Sequence, residues 1–136
     1  MSANRVAALG AIMVFILAVG VGLYLAGSPG EQRLFNLDQQ RVMHLHQIRN
    51  SVDTYWRTHR ALPARVDEDV IGIAMGRVPH DPETDVEYEY EIKDGNAYRL
   101  CAVFGRKSPE SMVDEFWAHG PGRQCFEFQI TEYETE

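Results

Sequence analysis

The sequence predicts an α+β protein: an N-terminal transmembrane helix, then an amphipathic helix packed on a small antiparallel sheet of about three to four strands. Three observations predict it. Val6 to Ala26 holds no charged or strongly polar side chain, and at about 1.5 Å per residue a helix of that length spans roughly 30 Å, the hydrocarbon thickness of a bilayer. A second stretch, ending near His59, repeats apolar residues every three or four positions. After Asp81-Pro82 the pattern becomes strict alternation, the period of a strand with one buried face.

The first element divides the chain into a transmembrane anchor, residues 1–27, and a head, residues 28–136. A removable signal peptide has a shorter apolar core and small residues before the cut, whereas here Tyr24 would occupy the small position three before a cut at Ala26. A lipoprotein needs a cysteine at the end of the run, and Cys101 and Cys125 are far from it. The anchor is therefore expected to stay, with the lipid bilayer its partner through residues 6–26. Arg5 and the amino terminus lie on one side, while Glu31 and Arg33 offset each other on the other, which favours an inward amino terminus. That predicts a single-pass protein of the bacterial inner membrane with a cytoplasmic N-terminus and a periplasmic head. Of 136 residues, all 20 Asp and Glu follow the span. An acidic head of about 110 residues has room for one core and repels a phosphate backbone, so nucleic acid is not an expected partner.

Gly27-Ser28-Pro29-Gly30-Glu31 reads as a joint: Ser28 can cap the next helix, Pro29 suits its first turn, and Glu31 stands three past the cap. In the helix that follows, Leu45, Ile48, Val52, Tyr55 and His59 form one apolar stripe, widened by Val42 and Trp56, with His59 expected beneath the sheet. The other face carries Gln40, Gln47, Arg49 with Asp53, Arg57 and Thr58. Leu62-Pro63 stops the helix. Val70, Ile71, Ile73 and Met75 suggest a short packed segment within 64–80, a stretch the pattern does not assign further.

Asp81-Pro82-Glu83-Thr84-Asp85 is turn chemistry. Val86, Tyr88, Tyr90 and Ile92 then alternate with Glu87, Glu89 and Glu91, a half-buried strand. Lys93-Asp94-Gly95-Asn96 makes a hairpin turn. Ala97 to Phe104 is a second strand with Tyr98, Leu100, Ala102 and Phe104 on one face. A long connection, with a short helix expected within Pro109–Trp117, leads past Gly120-Pro121-Gly122 to a last strand from Arg123 to about Thr131. There Phe126, Phe128 and Ile130 face the core. The acidic tail from Glu132 to Glu136 is expected to fray.

Two cysteines are compatible with buried thiols, a redox pair or one disulfide, and an oxidising space outside the cytoplasm favours the disulfide. Parity agrees, since Cys101 and Cys125 both lie opposite the aromatic residues of their strands and can meet across neighbouring strands.

A membrane helix, an amphipathic helix with Tyr55 followed by Leu62-Pro63, and Asp81-Pro82 followed by Tyr88-Glu89-Tyr90 resemble the type IV pilin and type II secretion pseudopilin family, the major pseudopilin type in particular. The resemblance covers most of the chain and implies a pilin-like head whose sheet packs on the carboxyl half of the long helix. No prepilin peptidase cleavage motif is recognisable, because no acid occurs before Glu31. The Thr84-Asp85 pair stands where the family often has threonine then glycine.

Site chemistry is sparse. His44 and His46, two apart on a helix, point to different faces, unlike helical zinc ligands four apart. His119 is expected to hydrogen-bond within its loop. Asp81, Glu83 and Asp85 could offer oxygen ligands to calcium, which some pseudopilins bind, but a solvated strand face that discourages edge pairing is preferred, so no cofactor is expected. No nucleophile elbow, phosphate loop or redox cysteine spacing occurs, and no enzymatic activity is expected. Ala18, Gly22 and Ala26 form a small-residue row on the span where another helix, including that of a small homo-oligomer, can approach. Glu87, Glu89, Glu91, Phe116 and Trp117 are the candidate partner-binding residues. The expected function is a structural or interaction component of the cell envelope, secretion- or pilus-associated, that contacts other envelope proteins. The alternative is a periplasmic ligand- or calcium-binding sensory head without catalysis.

Overall fold

In a computed structural model the chain is described for residues 3–26, 28–72, 77–110 and 115–131. Its apolar beginning is a helix, α1 (Ala3–Ala26). Large side chains protrude all along it, with Phe15 68 % and Leu23 69 % exposed. Apolar on every side, α1 is long and apolar enough to cross a membrane. Beyond residue 27 comes α2 (Pro29–His59). Ser28 caps it as the sequence predicts: its hydroxyl accepts from the Glu31 amide at 3.3 Å, and its carbonyl from that of Gln32 at 3.2 Å.

By compactness the chain divides into Met1–Leu34 and Phe35–Glu136. The second unit holds the core. Val42, Leu45, Ile48 and Val52 of α2 are buried among Tyr98, Leu100, Ala102, Phe104, Phe126 and Phe128 of the sheet, with Trp117, Val70 and Ile71 closing the sides. Each such side chain, taken fully from water, contributes about 1.5–3 kcal/mol. The sheet consists of β1 (Glu89–Asp94), β2 (Ala97–Phe104) and β3 (Gly122–Gln129), antiparallel and in that order. Gly95-Asn96 makes the β1–β2 turn, and Asn96 also fastens the end of β3, donating from its side chain to the Ile130 carbonyl at 3.1 Å.

The first strand is shorter than its alternation predicts. It begins at Glu89, because the turn before it uses the backbone as far as Glu87: the Asp81 amide donates to the Val86 carbonyl at 2.8 Å, and Glu87 bridges to His80. Asp85 takes a positive φ of 58° there. Val86 is therefore exposed, and Ile92 is exposed too, beside the bulge that shifts the register between Ile92 and Asp94. Only Tyr88 and Tyr90 of that predicted face pack on the core. His59 is a second correction. It is exposed, stacked on Tyr55 with ring centroids 3.9 Å apart, because the helix ends there.

Within 64–80, a one-turn helix, α3 (Glu68–Ile71), carries the buried Val70 and Ile71 and is capped by Asp67, which accepts from the Val70 amide at 3.3 Å. Ile73 and Met75 lie outside the described residues. In the long connection the helix predicted over Pro109–Trp117 is described as a single 3-10 turn, Glu115–Trp117, residues 111–114 lying outside the described residues. The tail from Glu132 also lies outside them.

Candidate functional site

Residues 38, 41, 45, 48 and 52 continue the three-four spacing of the α2 stripe, yet the first two are Asp38 and Arg41, both almost wholly buried. A charge on an apolar stripe is stable only if partners replace its water. Arg41 has them. Its Nη1 donates to Asp38 at 2.9 Å, its Nε to Asp81 at 2.6 Å, and its Nη2 to Asp81 and Glu83, both at 3.1 Å. Asp38 also accepts the Gly105 and Arg106 amides at 2.9 and 3.0 Å. Asp81 folds its own turn by accepting the Glu83 and Thr84 amides, both at 3.0 Å. Arg41 thereby joins the helix to the 81–84 turn, and Asp38 joins it to the chain just past β2.

The electrostatics follow from that geometry. Burial alone would raise the Asp81 carboxyl, but the Arg41 guanidinium and the two amides outweigh it and hold the group at about 2. Arg41 is pushed well above its ordinary range, chiefly by the bond to Asp81. Burial raises the Tyr88 phenol, which stays protonated beside the His44 Nδ1 at 2.9 Å, and burial lowers the His44 imidazole. The residues considered for calcium line one cavity but turn to different partners. Asp81 and Glu83 face Arg41, whereas Asp85 faces His80 at 3.4 Å.

The acidic strand face is likewise matched. Glu91 lies opposite Arg99 and bonds it at 3.0 Å, and it bonds Lys93 at 3.2 Å. Arg123 of β3 reaches Glu89 at 2.9 Å and passes 3.5 Å from the Cys101 sulfur. These arginines hold both carboxyls below their usual range. Glu87 stays exposed, 4.0 Å from His80. Beneath the ladder Cys101 and Cys125 stand directly opposite in register and form a disulfide, sulfur to sulfur 2.14 Å, as parity predicts.

Of the two aromatic partner candidates the structure separates one from the other. Trp117 is 1 % exposed, packed on Phe126 and Phe128 and against His46 at 4.4 Å, so no partner reaches it. Phe116 is 47 % exposed on the same cluster. His119 hydrogen-bonds within its loop as expected, but not through its ring, which stacks on Phe104 at 3.8 Å and whose nitrogens have no hydrogen-bond partner among the described residues. Its backbone bonds Ser108 instead, so serine and histidine are neighbours without the hydroxyl-to-imidazole bond that activates a nucleophile. Ala18 and Gly22 lie exposed on α1, the Ala26 side chain lying outside the described residues.

Asp38 and Arg41 were legible in one respect that the apolar reading passes over: they keep the register of the stripe. They also pair with each other three residues apart, whereas the further partners of Arg41, 40 and 42 residues on, and of Asp38, 67 and 68 residues on, follow from the tertiary fold alone. In comparisons with family models, curated proteins and solved structures, none of the three finds a match to this chain.

Proposed function

We propose that this protein is a single-pass, membrane-anchored and non-enzymatic component of the bacterial cell envelope, with a pilin- or pseudopilin-like head that acts by contacting other envelope proteins. The observation that carries this reading is α1, apolar and exposed from residue 4 to residue 25. Such a surface requires an apolar surrounding, and a bilayer supplies one. Arg5 before the span favours a cytoplasmic amino terminus and a periplasmic head, and the Cys101–Cys125 bridge suits that compartment. The long helix against a three-stranded antiparallel sheet supports the pilin-like reading. With no acid before Glu31, the chain lacks the carboxylate that pilins use in stacking their helices, so a monomer or small oligomer in the membrane is the proposed state rather than a filament subunit.

The non-enzymatic reading is supported by how the polar groups are used. Asp38, Arg41 and Asp81 bond one another or nearby amides, an arrangement that holds a fold together and leaves none of these three groups poised to react. Protease added to spheroplasts should digest the head while the protein resists alkaline extraction. A photoreactive side chain at Phe116 should then cross-link to envelope proteins. A head shielded from protease, cleavage by prepilin peptidase, or recovery in sheared surface filaments would sink the reading.

A further inference from the structure

The β2 strand outruns its neighbour on one side. Ala102, Val103 and Phe104 pair with Gln124, Arg123 and Gly122 of β3, but β1 pairing stops at Glu89 opposite Cys101. The chain before Glu89 does not continue along β2, because Glu87 bridges to His80. The lane beside Ala102–Phe104 is an open groove of about 360 Å³, walled by the 81–87 turn on one side and β2 on the other. Two apolar side chains stand at its rim, Val86 and Val103, 62 % and 58 % exposed. A vacant sheet edge flanked by apolar side chains is the geometry into which an extended peptide adds as a strand.

The walls also specify charge. Asp81, Glu83, Glu87 and Glu89 line the groove against two guanidiniums, that of Arg41, which also serves Asp38, and that of Arg123, which reaches Glu89, so carboxylates remain in excess. An acidic segment is repelled there and a basic one drawn in. The walls are also set in advance, since Asp38 holds the Gly105 and Arg106 amides and Asp81 holds its turn. That spares an incoming strand the cost of ordering them.

We propose that Ala102–Phe104 receives an extended, basic segment of a partner protein, about three to four residues long, as an added strand in the lane that β1 leaves vacant. This rests on the reading of the head as an interaction module and names the chemistry of its partner. The probe is a fluorescent pentapeptide alternating lysine and valine, titrated against the full-length protein in detergent micelles. It should bind saturably and slow amide exchange at residues 102–104. Replacing its lysines by glutamate, or methylating alternate backbone nitrogens, should each weaken binding by at least about tenfold. Glu87→Lys should weaken it about threefold to fivefold with melting unchanged. No saturable binding, equal binding of the methylated peptide, or protection elsewhere would overturn the proposal. So would protection at 102–104 that grows with protein concentration without peptide, which would mean that a second copy fills the lane. A failure here leaves the anchored-interaction reading to its own cross-linking test.

Discussion

Arg41 makes four hydrogen bonds to three carboxylates, so its removal exposes the cost of the charges it holds. Arg41→Met should destabilise the head by about 3–5 kcal/mol, because Asp38 and Asp81 then stay buried without a counter-charge. Arg41→Lys should recover only part of this, since an ammonium cannot fork toward several carboxylates. Denaturant unfolding of the full chain in micelles, followed by tryptophan fluorescence, reads both. A loss under about 1 kcal/mol would refute the account. Asp81 gives the same cluster a pH signature. Its carboxyl falls from 3.8 in the open chain to about 2 in the fold, worth about 2 kcal/mol. A depressed carboxyl contributes fully above its unfolded value, so this stability is present above about pH 4 and lost as pH falls toward 2. Asp81→Asn should flatten that part of the acid profile. Trp117 and Phe116 differ in kind: Trp117→Ala should cost about 3–5 kcal/mol, and Phe116→Ala less than half as much while reducing co-purification of partners with the full-length protein.

The three strands are short, and what secures them is lateral. The Cys101–Cys125 bridge joins directly opposite residues of β2 and β3 and closes the connection between them, a separation of 24 residues. By chain entropy such a loop is worth about 3 kcal/mol, so Cys101→Ser with Cys125→Ser should lower stability by about that amount without abolishing the sheet. Unfolding of the oxidised and doubly substituted proteins side by side measures it, and free alkylation of both thiols in protein purified without reductant would refute the bridge. The ion pairs above it run from β1 to β2 and from β1 to β3, all at the surface, where each contributes little singly. They match Glu89 and Glu91 with arginines, whereas Glu87 stays exposed.

At the scale of the molecule, α1 and the head are stabilised by opposite arrangements. The head buries apolar side chains against one another, whereas α1 presents them outward. If a bilayer surrounds α1, then Ile16→Arg, near the centre of the run, should oppose insertion by about 2.5–3.5 kcal/mol and move protein from the membrane fraction to aggregates. Unchanged fractionation would count against a membrane span.

The two long helices, the cap of the second at Ser28, the second and third strands, and the parity of the cysteines were all legible in the sequence. Each depends on local periodicity or on residues a few positions apart, and such patterns survive without knowledge of the rest of the fold. The same local reasoning overextended the first strand to Val86 and placed His59 under the sheet. Alternation says that a strand suits the residues, but where pairing begins depends on the Asp81 turn, and where the core ends depends on how far the sheet reaches along the helix. Asp38 and Arg41 show the division most clearly. Their register and their mutual pairing were visible on the helix, but a buried charge also needs its remaining partners, and those, the carboxylates of residues 81 and 83 and the amides of 105 and 106, arrive only once the chain has folded back. Periodicity by itself thus determined which faces are apolar. Only the tertiary structure decided which polar groups meet, because desolvated charges take their stability from partners distant in sequence.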